Sequence, residues 1–307
     1  MHWWHDAKLR GHLDGMLAHC NDALDSSEWA PETQICDSYF RALNKYWNAF
    51  NYYVAELKRG DISSFTATLK AMHSESKTSI IDDAAVRDLI TLTPPVMNHD
   101  ALKKGGYIPG QEITDSLRRD ATEEHRKSQI AFNDLMTDRS EEAVDRTLKR
   151  LAELLYVIRS NIAHGEKTPY GPDIQKAERD RLVSAIALPV QKLILDVLLD
   201  RPSHRLATYG TLQPGGPNSQ MLEACDGKWE SCILNGELAE INGLPIFRYS
   251  PSGPAVNAKL LTSARLGQYW KSLDRFEGKD YVRHLIPVRV NDTYVVANVY
   301  EQRAIRH

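Results

Sequence analysis

Little in this chain marks a specialised class. Its four cysteines, Cys20, Cys36, Cys225 and Cys232, form no C-x-x-C pair. That argues against a disulfide framework or a cysteine-based zinc site, and it fits reduced thiols inside a cell. Charge of one sign is scarce. The formal net is −3, so no global attraction to nucleic acid or to an anionic membrane is expected, although a net value says nothing of a local basic patch. Long apolar runs are missing too. The opening "MHWWHDAKLRGHLDGMLAHC" lacks the apolar core of a signal peptide. The most apolar stretch, "LVSAIALPVQKLILDVLL", is broken by Gln191, Lys192 and Asp196 and contains Pro189, so it reads as a buried helix and not a membrane span. No internal repeat or low-complexity tract is present. What is there, 307 residues at 42% hydrophobic and 26% charged, describes an ordinary globular protein, cytoplasmic by expectation and long enough for two cores.

The two parts of the chain have different periods. Up to about Leu199 the pattern is helical. "PETQICDSYFRALNKYWNAFNYYVAELKRG" opens on Pro31 and Glu32, which suit a first turn, and stops at Gly60. In "SEEAVDRTLKRLAELLYVIRSNIAHG", Ser140 can cap, Glu141 and Glu142 suit the positive helix end, and Gly165 can terminate. Val144, Leu148, Leu151, Leu155, Ile158 and Ile162 recur at steps of four and three, a stripe that predicts a core-facing side. "DIQKAERDRLVSAIALPVQKLILDVLLD" predicts a further helix, kinked at Pro189. Between them "TLTPPVMNHDALKKGGYIPGQEIT" is either a loop excursion or a short helix between turns.

"DRPSH", residues 200–204, marks the change. Beyond it come short apolar runs split by Gly, Pro and Asn: "RLATYGTL", "CILNGEL", "LPIFRYS", "HLIPVRV" and "TYVVANVY". Valine, isoleucine and tyrosine are frequent in them, as strands prefer. One helical segment, "SARLGQYWKSLDRFE", interrupts the series. The expectation is an α+β chain of two domains, an all-α bundle over residues 1–200 and a small mixed α/β barrel over residues 201–307.

Three segments of the second part stand in order: "LATYGTLQPGGPN", "NGLPIF" and "LDRFEGKDYVR". Together they resemble the γ-glutamylcyclotransferase-like family, over nearly all of residues 206–302. The resemblance implies a small mixed barrel whose first strand runs into a substrate loop, here Tyr209, Gly210, Thr211 and Leu212. It makes Glu277 the catalytic acid/base and Tyr281 the counterpart of a tyrosine that follows that acid. One departure is that "AVNAKLL" has no glycine where relatives carry one on the strand before the helix. The implied reaction closes a γ-glutamyl group on itself, giving 5-oxoproline and a released amine, and needs neither metal nor organic cofactor. Elementary chemistry agrees. A strand–loop junction with Gly210 and the Gly215–Gly216 pair can turn N–H groups toward an anion, and a carboxylate enclosed in an apolar pocket becomes a base near neutral pH. Arg283 reads as a strand-end salt-bridge partner, and Asn218 as a group that fixes the loop or caps the next helix.

"RSNIAH", Arg159 to His164, carries a second signal. It resembles the HEPN family, all-α domains with an R-x(4–6)-H motif, many of them metal-independent ribonucleases that act as dimers. The resemblance implies that His164 moves protons, that Arg159 pairs with phosphate oxygens and that Asn161 binds phosphate or orients His164. Five residues along an ideal helix turn side chains about 140° apart. Arg159 and His164 therefore share a site only if the helix frays at Gly165 or a partner chain completes it, which predicts a homodimer. The alternative is that Arg159 pairs with an acid across the bundle and His164 ends the helix. His5, His12 and His19 recur every seven residues. Two turns of rise leave neighbours about 10 Å apart, too far to share a metal ion.

Three functions follow as expectations. One is a cyclising enzyme for a small γ-glutamyl substrate on a dimerising bundle. A second is a ribonuclease of a stress, toxin–antitoxin or phage-defence module, with RNA as partner and the C-terminal domain as its sensor. The third is a non-catalytic assembly protein. No membrane partner is expected.

Overall fold

The computed structural model describes residues 10–28, 44–49, 61–108, 111–163, 174–241 and 243–303. Its contacts divide the chain into two compact units, one of Ser26–Leu195 and the other joining the segment up to Asp25 to Asp196 onward. This differs from the expected boundary near Arg201, because the first helix goes with the second unit. Among the described residues no helix is long and apolar enough to cross a membrane.

The described residues of the unit Ser26–Leu195 form helices and the turns between them. Its described elements include α2 (Asp61–Lys70), α3 (Ser74–Ile81), α4 (Ala84–Ile90), α5 (His99–Lys104), α6 (Asp115–Ala121), α7 (Glu123–Asp134), α8 (Glu141–Ala163) and α9 (Ile174–Leu198), the last of which runs through Pro189 and ends beyond the unit. Residues 44–49, also helical, are the described part of the helix expected over residues 31–60. The predicted stripe on α8 is buried throughout, from Val144 to Ile162. Ala152, Leu154 and Val157 are buried beside it, so α8 is covered on more than one side, by α2, α3 and α7. Ser140 caps this helix as expected, its Oγ accepting from Ala143 N–H at 3.3 Å. The segment from Thr91 to Thr114 holds a short helix between turns, the second of the two readings offered for it.

The other unit is built on strands β1 (Arg205–Thr208), β2 (Lys228–Ile241), β3 (Leu244–Tyr249), β4 (Ala255–Thr262), β5 (Tyr281–Val290) and β6 (Thr293–Gln302). They lie in the order β3-β2-β4-β1-β6-β5, and β2 also meets β5, with Ile233 opposite Arg289. That contact closes five strands into a barrel and leaves β3 paired to β2. The β1–β6 pair is parallel and the others antiparallel. Alternation along the strands sorts side chains into two clusters. Ala207, Leu234, Val256, Leu260, Val288 and Val299 belong to one. Leu206, Leu261 and Tyr300 turn to the other face, where Leu222 of α10 (Gln220–Glu223) and Leu273 of α11 (Trp270–Glu277) join them. The helix expected over "SARLGQYWKSLDRFE" is shorter than its segment, with a 3-10 turn at Leu266–Gln268 preceding α11.

Helix α1 (Arg10–Glu28) belongs to this unit up to Asp25. It buries Leu13, Met16, Leu17, Cys20 and Ala23, a spacing of three and four residues. The Asn21 side chain holds one point of β5 as a neighbouring strand would. Its Nδ2 donates to the Leu285 carbonyl at 3.0 Å, and Leu285 N–H donates back to its Oδ1 at 2.7 Å. Asp14 Oδ1 accepts from the Tyr249 hydroxyl at 2.7 Å.

Candidate active site

Where β1 ends, the chain enters a run of turns. Gln213 N–H donates to the Gly210 carbonyl at 3.1 Å, and Asn218 N–H donates to the Thr211 carbonyl at 3.1 Å. The Gln213 side chain reaches back to the Thr208 carbonyl at 2.8 Å. These bonds engage the loop's carbonyls. The N–H groups of Gly210, Thr211 and Leu212 meet no acceptor among the described residues. Pro245 of β3 explains the glycine at 210, since a Cβ there would come 2.7 Å from the proline Cγ.

Helix α11 ends on Glu277. The next residue, Gly278, has φ +70°, a region that L side chains rarely adopt, and its N–H closes the helix on the Asp274 carbonyl. The chain then turns through Gly278–Asp280 into β5. Loop and helix end thereby share a cavity of about 280 Å³, lined by Tyr209, Gly210, Thr211, Leu212, Glu277 and Tyr281 and by Thr208, Asn218, Pro245, Phe276, Asp280 and Tyr300. That volume suits a small metabolite.

Glu277 is half-buried, and among the described residues its carboxylate has no hydrogen bond or ion pair. Burial pushes its carboxyl up from the ordinary range to about 7, with the Asp274 carboxylate adding in the same direction. A carboxyl so placed exchanges a proton readily near neutral pH. The Tyr209 hydroxyl donates to the Tyr300 carbonyl at 2.8 Å, and its ring lies 5.3 Å from that of Phe247. Burial, the neighbouring Tyr281 and Glu277 all push this phenol up, so it stays protonated. The Tyr281 hydroxyl lies 3.5 Å from the Pro245 carbonyl, at the outer limit of a hydrogen bond.

Six of the nine site residues expected from the sequence thus line one cavity, and so does Asn218. Arg159 and Asn161 are not among its lining residues. Asn161, on α8, is buried, with its Oδ1 accepting from His99 N–H at 3.1 Å and its Nδ2 donating to the Met97 carbonyl at 2.8 Å. Both amide atoms brace the segment before α5. The Arg159 guanidinium lies 5.9 Å from the Trp47 ring centroid, and its Nε has no hydrogen-bond partner among the described residues. His164 lies outside the described residues.

The sequence reading passed over Asp274 and Tyr300. The Tyr300 hydroxyl donates to Asp274 Oδ1 at 2.6 Å. Arg283 grips the same carboxylate twice, with Nε 2.9 Å from Oδ1 and Nη2 3.2 Å from Oδ2. Arg283 is therefore an ion-pair partner, as read. The signal for Asp274 stood in the quoted "LDRFEG", one helical turn before the acid.

Residues 206–306 match the family model described as gamma-glutamyl cyclotransferase, AIG2-like. This AIG2-like domain holds every residue of the cavity, and the match does not extend to the helical unit. No curated protein matches the chain. Among solved structures, an AIG2-like protein from Mus musculus is 24% identical, covering 34% of this chain and 79% of that one at a TM-score of 0.28. An uncharacterised protein from Pyrococcus horikoshii is 17% identical over 34% of this chain and 80% of that one, at a TM-score of 0.26. Allophanate hydrolase from Kluyveromyces lactis is 10% identical over 76% of this chain and 52% of that one, at a TM-score of 0.25.

Proposed function

We propose that the AIG2-like domain cyclises a γ-glutamyl amine to 5-oxoproline, with Glu277 as general acid/base. The observation that carries this is a half-buried Glu277 carboxyl that shares one cavity with Gly210, Thr211 and Leu212, where neither the carboxylate nor those three backbone N–H groups have a hydrogen-bond partner among the described residues. The neutral α-amine of the substrate attacks its own γ-carbonyl carbon. As that N–C bond forms, the carbonyl oxygen becomes an oxyanion and Glu277 takes a proton from the attacking nitrogen. The oxyanion then collapses, the bond to the leaving nitrogen breaks, and Glu277 returns the proton to it. Atoms balance without water, metal or cofactor. The loop amides are the groups suited to holding the substrate carboxylate or the oxyanion. Ring closure is intramolecular with or without the enzyme, so what the cavity adds is to hold the substrate in the folded conformer that brings amine and carbonyl together.

The test is release of 5-oxoproline from a panel of γ-glutamyl amines by the full chain. Glu277→Gln is expected to cut kcat about 10²–10⁴-fold. The base form of Glu277 is needed first, so kcat/KM is expected to rise with pH through about 7. Activity that survives the substitution overturns the assignment.

A second reading places a metal-independent ribonuclease at Arg159 and His164, with RNA as partner and a homodimer completing the site. What favours it is the Arg159 Nε that has no hydrogen-bond partner among the described residues. Against its third member stands Asn161, whose amide oxygen and nitrogen each bond a backbone group. RNA cleavage without metal that Arg159→Ala abolishes is its test, and intact RNA removes it.

A further inference from the structure

We propose that Asp274 is a positioning residue for Glu277: clamped by Arg283 and Tyr300, it fixes the last turn of α11 and keeps a negative charge one turn before the acid. The inference rests on the cyclotransferase reading for its kinetic consequences, and on geometry alone for its structural part.

The clamp joins the elements that wall the cavity. Arg283 on β5 stands directly across from Tyr300 on β6 in the strand register, so the two side chains reach Asp274 together. Tyr300 lines the cavity, and its carbonyl accepts from the Tyr209 hydroxyl, which ties the same unit to the substrate loop. The guanidinium also lies over the Trp270 ring, 4.5 Å from Cζ to centroid, and donates through Nη1 to Asn298 Oδ1 at 3.2 Å. Trp270 and Asp274 are four residues apart on α11, so one arginine grips two successive turns of the helix that ends on Glu277. With Arg283 and Asp274 side chains only 10% and 20% exposed, the pair is sheltered from the screening that weakens surface contacts. A two-pronged arginine–carboxylate contact is also directional, which makes it a fixture and not merely a charge.

Asp274 is not among the residues lining the cavity. It acts through Glu277, by holding the helix end and by disfavouring a second negative charge nearby. The charged and titratable groups around Glu277 are Asp274 on its own helix, Asp280 in the turn, Tyr281 and Arg283 from β5, Tyr300 from β6 and Tyr209 from the loop after β1. Arg283 is directed to Asp274, and the Asp274 carboxylate is the charge that adds to the effect of burial on Glu277.

The experiment titrates Glu277 directly in the full chain by carboxyl ¹³C NMR, assigning its signal by loss in Glu277→Gln, and compares Asp274→Asn with Asp274→Glu. Asp274→Asn still accepts from Tyr300 but removes the charge. Its Glu277 titration is expected to move to lower pH by about one pH unit. The acid limb of kcat/KM is expected to move with it, and kcat to fall about tenfold with KM little changed. Asp274→Glu restores the charge at a displaced position, so kcat falls while the titration stays near the parent value. A Glu277 titration unmoved by Asp274→Asn overturns the proposal, whatever the activity. If Asp274→Asn does not fold, Arg283→Lys replaces it, keeping both charges and losing the two-pronged contact. Unchanged kcat in that variant overturns the proposal, and about a fivefold fall with KM held supports it. A chain that turns over no γ-glutamyl amine sinks the cyclotransferase reading instead, and the titration still decides the role of Asp274.

Discussion

At the barrel mouth, Glu277 keeps a half-buried carboxyl with no partner among the described residues, beside three backbone amides with no acceptor there. In the helical unit, Asn161, His125 and Lys77 are buried more deeply, and their polar atoms are engaged. The His125 ring accepts from Val96 N–H at 2.9 Å and lies 2.7 Å from the Ile90 carbonyl, which assigns the proton to Nε2. Lys77 Nζ sits 3.0 Å from Glu141 and 2.8 Å from Asp145, tying α3 to α8. Burial with a partner fixes a backbone segment, whereas burial without one leaves a group whose proton affinity is displaced and available. Buried polar groups therefore carry different meanings according to their hydrogen-bond engagement, and in the helical unit the Arg159 Nε, without a hydrogen-bond partner among the described residues, is an exception.

The sharpest way to break that contrast is Asn161→Leu. If Asn161 is a brace, its loss takes this partner from the half-buried Met97 carbonyl and His99 N–H. For half-buried groups the two losses together cost about 2 kcal/mol. Denaturant unfolding of the full chain should show this as a lowered midpoint in the helical transition, with 5-oxoproline release unchanged below that transition. A fully stable variant would mean that the amide is not the brace it looks to be.

Gly210→Ala probes the other side of the contrast. The added methyl must displace the Pro245 ring or the loop itself, because the ring is fused to the β3 backbone and cannot swing away. A shift of a few tenths of an ångström in the loop amides is expected to lower kcat about tenfold, since misplacement of this order is felt directly in the transition state. Thermal unfolding should change little. Equal loss of stability and rate would make Gly210 a packing residue and not part of the site.

Legibility followed the range of the interactions. The α8 stripe could be read because helical periodicity is local, and its six positions are all buried. The strands could be read for the same reason, and so could the cavity's two halves, since loop and acid each sit in a short segment bounded by glycine. What the sequence did not disclose depends on partners far along the chain. Asn21 meets Leu285 across 264 residues, and no local pattern in "LAHCNDAL" separates that amide from a solvated one. Asp274 is similar. Its meaning comes from the β5–β6 register that sets Arg283 opposite Tyr300, while the sequence shows only an acid one turn from another acid. The backbone contacts of Asn161 were hidden for the complementary reason. Its motif spacing was visible, and the backbone groups that engage it belong to a segment more than 60 residues away.

The smallest effect expected is on stability, and its sign is informative. Folding raises the Glu277 carboxyl from 4.5 to about 7. Between those values the folded chain holds a proton that the unfolded chain has lost, so stability falls as pH rises through that window and levels off above about 7. Glu277→Gln cannot ionise and escapes the penalty. It should therefore unfold at higher denaturant than the parent at pH 8, by about 1 kcal/mol, discounted from the full shift because the side chain is only half-buried. At pH 4.5 the parent carboxyl is protonated in the folded state and the difference should vanish. On the proposed reading this cost goes with the base that the chemistry needs, whereas an ordinary surface glutamate bears none. An equal effect of Glu277→Gln at both pH values would mean that burial does not act on this carboxyl, and the cavity would lose its base.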